Sequence, residues 1–214
     1  MNEKHYTLNF KIKWFGNNYP DKFFIDLIIS DLLIQPIVKK FEQNLKFWAI
    51  HRSSDHKIQE HMFEFRIYST SKTKENIHKD IISNNFYTLI KDNYLEKDTY
   101  FNDSNDTSVE EIEAVSDAKW PLEIKKIWPY YIMGVSDMFI KLIEELRKIT
   151  TNDLRAMNKD KLENYYKELE QKIDSIWLGY GCHAFIHHLS AIFGYKPIIP
   201  QLRWRDPNSG AVIF

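Results

Sequence analysis

The chain of 214 residues is long enough for one large domain or two small ones, and at this size a core forms without disulfides. Its 29 basic and 30 acidic residues nearly cancel, so the overall charge gives no sign of a nucleic-acid partner. No apolar run approaches the ~20 residues of a membrane helix. The single cysteine, Cys182, excludes an internal disulfide framework and fits a reducing compartment. We therefore expect a cytoplasmic protein that binds neither membrane nor nucleic acid.

The first 95 residues alternate between strand-like and helix-like patterns. In chain order they predict a strand over 6–14, a helix over 23–43, strands over 46–52 and 61–69, a helix over 73–91 and, more weakly, a fourth strand near 94–101. The first helix should kink or break near Ile34, because Pro36 cannot continue the helical hydrogen bonds. The two middle strands should be antiparallel, because their connection is too short for a crossover helix. This β-α-β-β-α order predicts an α+β fold with a ferredoxin-like two-layer unit.

The rest of the chain changes character after this unit. Residues 96–117 carry eight acidic residues and one lysine, which is typical of a solvated loop. Helical spacing follows over 120–149, 151–178 and 181–194. We therefore expect an α/β unit over 1–95, an acidic loop over 96–117 and a mainly helical C-terminal half over 118–214, packed on the sheet in one compact domain.

Charged residues on the predicted sheet are the first candidates for chemistry. In the strand over 61–69, Glu64 and Arg66 should lie on the face opposite the apolar residues Phe63, Phe65 and Ile67. They line a cleft if the helical half packs on that face, and otherwise form a solvent-facing pair. His51 and Arg52 point to opposite faces, and one of them should share the face of Arg66. His51 suits acid–base work, and Arg52 suits binding of a carboxylate or phosphate.

A cluster of histidines near the C-terminus is the second candidate. His183 and His187 are four residues apart and share one helical face, a spacing that suits two metal ligands. No third ligand is evident nearby, so we predict no metal site. The helix over 181–194 is apolar almost all round, which favours central burial of these histidines and of Cys182. A histidine presented to a cleft as an acid or base is the alternative. His61 should be an ordinary surface residue.

Several segments, in order along the chain, resemble those of a known family. They are Lys13-Trp14-Phe15, the segment from Asp31 to Pro36, the segment from Phe47 to Arg52, the segment from His61 to Arg66, and the late helix from Phe185 to Gly194. In this order they resemble the C-terminal domain of lantibiotic dehydratases, the thiopeptide-type bacteriocin biosynthesis family.

The resemblance implies binding of a modified precursor peptide. Domains of this kind eliminate glutamate from glutamylated Ser or Thr, or join two dehydroalanines into a six-membered nitrogen ring, and the resemblance implies no cofactor. Carried over, the catalytic positions are Arg66, His51 or Arg52, and His187 or His188. We predict catalytic roles for Arg66, His51 and His187, and substrate binding by Arg52, Glu64, His183 and His188. A separate dehydratase protein is an implied partner. The sequence leaves open a second reading, in which the chain is a non-catalytic peptide- or protein-binding subunit.

Overall fold

The computed structural model describes residues 3–14, 23–55, 59–102, 120–192, 204–205 and 212–213, which form a mixed helix and strand protein. The strands are β1 (Glu3–Ile12), β2 (Phe47–Asp55), β3 (Glu60–Thr70), β4 (Tyr100–Asn102), β5 (Trp204–Arg205) and β6 (Val212–Ile213). The α-helices are α1 (Phe23–Ile29), α2 (Gln35–Phe41), α3 (Ser71–Ile82), α4 (Tyr87–Tyr94), α5 (Leu122–Leu146), α6 (Thr151–Arg155), α7 (Lys159–Gly181) and α8 (His188–Ile192). The chain divides into two compact units, Met1–Gln171 and Lys172–Phe214.

A four-stranded sheet organises the first unit. Its strand order is β2-β3-β1-β4, and every neighbouring pair is antiparallel. One face carries the fully buried side chains of Phe63, Phe65 and Ile67, as the alternation in the sequence predicts. The expected fourth strand is present but only three residues long. An α+β fold with a mostly helical C-terminal half is therefore confirmed.

Pro36 shapes the helical segment that follows β1. Between α1 and α2 the backbone forms a π-helical turn over Ser30–Ile34, which is the interruption expected near Ile34. Because Pro36 has no N–H, the carbonyl of Leu32 four residues earlier lacks its helical donor. The Asn84 side-chain amide donates to this carbonyl instead, at 2.9 Å. The Leu32 carbonyl is therefore paired, and this hydrogen bond ties the segment to the loop after α3.

Two of the long helices predicted from the sequence are each divided in two. The helix expected over 73–91 is α3 and α4, because the Asn84 carboxamide oxygen accepts from the Phe86 N–H and the chain turns between them. The helix expected over 151–178 is α6 and α7, with Asn158 accepting from the Lys161 N–H at the start of α7. In both places an asparagine side chain accepts from the backbone of a following residue: Asn158 caps the start of α7, and Asn84 forms a turn before α4.

Helix α5 packs along β2, the edge strand of the sheet. Pro129 lies inside α5 without ending it, and Tyr130 packs edge-on against Phe47 with ring centroids 4.8 Å apart. The buried Ser136 hydroxyl accepts from the Ile50 N–H at 3.0 Å and donates to the Ile132 carbonyl at 2.7 Å. A backbone donor at the sheet edge is thus satisfied by a side chain, and a further strand cannot pair at Ile50.

A buried carboxylate joins three helical segments of the first unit. Asp31, in the π-helical turn, accepts from the Tyr166 hydroxyl at 2.7 Å and from Arg147 Nη1 at 3.1 Å. Burial raises the pKa of Asp31, while the hydrogen bond from Tyr166 and the charge of Arg147 act in the opposite direction. The partners come from α7 and from the residue that follows α5, so this charge is paired at the place where the helical segments meet.

The second unit contains a second π-helical turn, Cys182–His187, between α7 and α8. Gly181 just before it leaves room for the Trp177 ring, since a Cβ there would lie 2.9 Å from that ring. The Trp177 ring also stacks on Phe185 at a centroid distance of 5.9 Å. The predicted central burial of this segment is wrong. Its side chains at Cys182, His183, Ile186, His187 and His188 are exposed.

Parts of two predicted segments lie outside the described residues, namely 103–119 of the acidic loop and its flank, and most of the chain after Ile192. None of the described helices has both the length and the apolar character needed to cross a membrane.

Candidate functional site

The strand register brings together four of the polar residues on one face of the sheet. His51 on β2 lies opposite Glu64 on β3, and Arg66 lies two residues further along the same face of β3. On the other side of β3, β1 places Thr7 opposite Arg66 and His5 opposite Tyr68. We call His5, His51, Glu64 and Arg66 the sheet-face cluster. Of His51 and Arg52, the register shows that His51 shares the face of Arg66.

Arg66 and Glu64 form the ion pair at the centre of the sheet-face cluster. Arg66 donates from Nε at 2.9 Å and from Nη2 at 2.6 Å to the same Glu64 oxygen, Oε2. The Arg66 side chain is 26% exposed and the Glu64 side chain is 18% exposed, so this ion pair is intermediate between a solvent-exposed pair and a buried one. Among the described residues, Arg66 Nη1 donates no hydrogen bond. The guanidinium therefore keeps donors for a further acceptor while its charge is partly balanced.

Two imidazoles in the sheet-face cluster have lowered pKa values. Burial, and then the nearby Arg66 charge, lower the pKa of His5 from 6.5 to about 4. The pKa of His51 is lowered for the same two reasons, against the opposing charge of Glu64. Both rings are therefore uncharged at neutral pH, the form that accepts a proton. His5 was not predicted as a site residue. The alternation of His5, Thr7, Asn9 and Lys11 with apolar residues does indicate that these four share the polar face of the strand.

A small apolar hollow borders Arg66. Its volume is about 30 Å³, which is room for one or two waters and too little for a whole ligand. The lining includes His5, Phe47, Trp48 and Tyr68 from the strands, and Trp128 and Ile132 from α5. The low polarity of these walls strengthens electrostatic interactions of the guanidinium with any group held beside it.

Arg52 lies on the other face of the sheet, in a separate arrangement. Its Nε is 2.5 Å from Asp26 Oδ2, and the guanidinium lies over the Phe23 ring. His61 Nε2 also approaches Asp26, at 3.0 Å from Oδ1 and 3.2 Å from Oδ2, and only Oδ2 has hydrogen-bond geometry. His61 is 2% exposed, so its prediction as a surface residue is wrong.

The physical reason for the burial of His61 is register. Position 61 falls on the same face of β3 as Phe63 and Phe65, beneath α1, where Asp26 provides the partner that a buried imidazole requires. Asp26 was also not predicted as this partner. The one indication of its burial in the sequence is its position among the apolar residues of α1. The Asp26–His61 pair connects α1 to β3. It lies on the face of the sheet opposite the sheet-face cluster.

The three late histidines are close to one another in the second unit. The rings of His183 and His187 stack at a centroid distance of 5.3 Å, and His188 lies 5.4 Å from His183 and 5.9 Å from His187. All three are exposed. Within the described part of the chain, no group of three His, Cys, Asp or Glu side chains has an arrangement that could hold a metal ion.

No protein-family model matches the sequence, and no curated protein matches it. Among solved structures, the chain is similar to the one described as the crystal structure of TsrL, with 10% sequence identity and a TM-score of 0.44. The match covers 84% of this chain and 50% of TsrL, so the chain spans about half the length of that protein. A likeness of this size carries no argument about activity, substrate or partners.

Proposed function

We propose that the chain is a peptide-modification protein of ribosomal natural-product biosynthesis, which binds a modified precursor peptide at the sheet-face cluster and promotes an elimination or a cyclisation. One observation supports this best. The Arg66 guanidinium is partly buried, is paired through a single carboxylate oxygen, and lies among two imidazoles that are uncharged at neutral pH. A carboxylate or carbonyl binder beside proton acceptors suits acyl-type and elimination chemistry.

In this proposal Arg66 is the anchor. Its free Nη1 donors bind the carboxylate or carbonyl of a glutamylated Ser or Thr in the peptide, and the apolar hollow takes the end of a side chain. Glu64 fixes the guanidinium plane through its two contacts to Nε and Nη2. A preoriented guanidinium needs little rearrangement as negative charge develops on the leaving glutamate.

His51 is the proposed base. It takes the Cα proton of the glutamylated residue, the Cα–Cβ double bond forms, and the Cβ–O bond breaks with its electron pair leaving on the glutamate carboxylate. His187 is proposed as the acid that donates a proton to the departing glutamate carboxylate, and His183 and His188 are proposed to contribute to peptide binding. Arg52 is proposed to stabilise the fold and not to contact the peptide, because its Nε already pairs with the buried Asp26.

The fold part of the proposal is the ferredoxin-like unit. It is supported by the antiparallel order β4-β1-β3-β2 and by the helical segments that follow β1 and β3. In such a sheet the two central strands are β1 and β3, which carry His5 and the Arg66–Glu64 pair.

The test uses a synthetic peptide containing one glutamylated serine, with binding measured by calorimetry and loss of glutamate by mass spectrometry. We expect Arg66→Ala to weaken binding by at least about tenfold, since hydrogen bonds from a charged group contribute about 1.5–3 kcal/mol. Arg66→Lys should restore only part of the affinity, because it loses the fork of donors. Arg155→Ala, which removes an exposed arginine of α6, is the matched control. Equal affinity of Arg66→Ala and the parent contradicts the proposal.

A second candidate function, a non-catalytic binding subunit, is favoured by a different observation. The first half of α5 exposes large apolar side chains: Leu122 at 48%, Ile124 at 42%, Ile127 at 55%, Tyr130 at 62% and Tyr131 at 47%. Apolar exposure of this extent is typical of protein interaction surfaces. Under this candidate the peptide binds without loss of glutamate, and His51→Asn changes neither affinity nor product. A His51→Asn protein that binds the peptide and no longer releases glutamate decides for the enzyme.

A further inference from the structure

Asn9 lies on the polar face of the sheet, beside the sheet-face cluster. It is on β1, directly opposite Glu64 of β3, and the Cβ atoms of residues paired in this way are about 4.5–5.5 Å apart. Asn9 is 3% exposed, although asparagine side chains are mostly exposed in folded proteins. Asn9 and Glu64 are therefore adjoining polar side chains on the two central strands.

The Asn9 carboxamide is held in one orientation. Its Nδ2 donates to the Thr7 carbonyl at 3.1 Å and to the Tyr100 carbonyl at 3.4 Å. Both partners are acceptors, so the donor end of the amide must face them, and the acceptor end, Oδ1, is turned away from them. None of the described residues donates to Oδ1, and this oxygen is not cut off from solvent. Asn9 therefore presents a fixed acceptor to a ligand.

Glu64 has a second acceptor next to Asn9. Both contacts from Arg66 reach Glu64 Oε2, and within the described part of the chain nothing donates to Oε1, which also keeps contact with solvent. Hydrogen bonds to a carboxylate are strongest when the donor is a cation. Two oxygens are too few for a Ca²⁺ site, which takes about six to eight oxygen ligands. An ammonium group, which carries three N–H donors, suits this pair of acceptors.

We infer that Asn9 Oδ1 and Glu64 Oε1 bind an ammonium group, and that the sheet face thereby recognises a zwitterion. Arg66, two residues from Glu64 along β3, keeps its Nη1 donors for a carboxylate, while Asn9 lies across from Glu64 on β1. His5 and His51 are uncharged at neutral pH, so the cluster contains one cation and one anion. A ligand with one charge of each sign complements this arrangement.

The glutamyl group of a glutamylated serine has this chemistry. One of its carboxyl groups forms the ester, which leaves one carboxylate and one ammonium. The assignment of the zwitterion to this group rests on the proposed function, and it makes Asn9 a specificity-determining residue. A glutaryl group, which has the same chain and carboxylate but no amine, leaves Glu64 Oε1 and Asn9 Oδ1 without a donor.

The test compares two probes that differ only in the amine, glutamate α-methyl ester and glutarate monomethyl ester, by NMR titration of the His51 ring signals. We expect the parent protein to bind the glutamate ester at least about tenfold more tightly, because only this probe donates to the two oxygens. Asn9→Val and Glu64→Gln should each remove most of this preference. Asn9→Ser, which is smaller, should do the same. The preference is a ratio of two affinities in one protein, so a change at Arg66 that affects both esters cancels.

Glu163→Gln is the matched control, because the Glu163 side chain on α7 is 21% exposed and also forms ion pairs, and this variant should keep the preference. Far-UV circular dichroism checks that each variant is folded. Equal affinity of the parent for the two esters, or a preference that survives both Asn9→Val and Glu64→Gln, overturns the inference.

A second arm identifies the source of the ammonium. It uses a serine peptide with an acetylated N-terminus and no lysine, carrying either glutamyl or glutaryl, and we expect the same preference for glutamyl. An unmodified peptide with a free N-terminus that binds in an Asn9-dependent way overturns the assignment to the glutamyl group. Arg66→Ala should weaken both esters and keep the preference. If Arg66→Ala binds the glutamylated peptide as tightly as the parent and the preference remains, the proposed function fails and the ammonium site stands.

Discussion

The acid dependence of stability at His5 tests the electrostatics of the sheet-face cluster. The pKa of His5 falls from 6.5 to about 4 on folding, which corresponds to at most about 3 kcal/mol because the ring is only partly buried. Between these values the unfolded chain binds a proton at His5 and the folded chain does not. The free energy of unfolding therefore has its full value above about pH 6.5 and falls as the pH is lowered toward 4.

The measurement is urea unfolding followed by tryptophan fluorescence at several pH values, for the parent and for His5→Phe. Phe keeps a ring against Tyr68, whose centroid is 4.8 Å from that of His5, but cannot bind a proton. We expect the difference in unfolding free energy between the two proteins to change by up to about 3 kcal/mol from pH 7 to pH 4, in favour of the variant. Arg66→Met should raise the pKa of His5 only in part, because burial is the larger cause. An NMR titration that finds the pKa of His5 at or above 6.5 in the folded protein refutes the reasoning.

Three further predictions concern the frame that holds the site. Tyr166→Phe should lower the free energy of unfolding by about 2 kcal/mol, because the buried Asp31 loses a 2.7 Å hydrogen bond, and the exposed Tyr180→Phe should not; equal urea midpoints for the two would contradict this. Ser136→Ala should cost about 1–3 kcal/mol, because the Ile50 N–H loses its acceptor, and hydrogen exchange at the Ile50 amide should quicken; unchanged exchange argues against the contact. Gly134→Ala should stabilise the protein by about 1 kcal/mol through helix propensity, and Gly181→Ala should gain less because its Cβ would lie 2.9 Å from Trp177; thermal melts with the opposite ranking reject this packing.

Much of the sheet could be predicted from the sequence, because alternation of apolar and polar residues indicates a strand with one buried face. Phe63, Phe65 and Ile67 are buried on one face, with Glu64 and Arg66 on the other, as period-two spacing requires. The position of His51 beside Glu64 could not be predicted, since a one-residue change of register would have exchanged it with Arg52. No sequence pattern indicates which residue of β2 pairs with which residue of β3.

The helical half was less predictable for a related reason. Where apolar residues lie on every side of a helix, their spacing does not show whether or where it is buried. The segment around His183 and His187 has this pattern, and its side chains are exposed. The Asp26–His61 pair was missed because its residues are 35 positions apart and only the packing of α1 on β3 joins them. The breaks near Asn84 and Asn158 involve hydrogen bonds from the backbone to an asparagine side chain, which helical spacing alone does not reveal.

The central claim is that the free donors of Arg66 bind the acidic or carbonyl group of a modified peptide. The most direct measurement is an NMR titration of the Arg66 side-chain nitrogens with a peptide carrying one glutamylated serine, beside the same peptide with free serine. We predict that the glutamylated peptide shifts and sharpens the Arg66 Nη signals, that the unmodified peptide does so far less, and that Arg155 responds to neither. Arg66 signals that stay unchanged while the glutamylated peptide binds elsewhere on the protein would contradict the account.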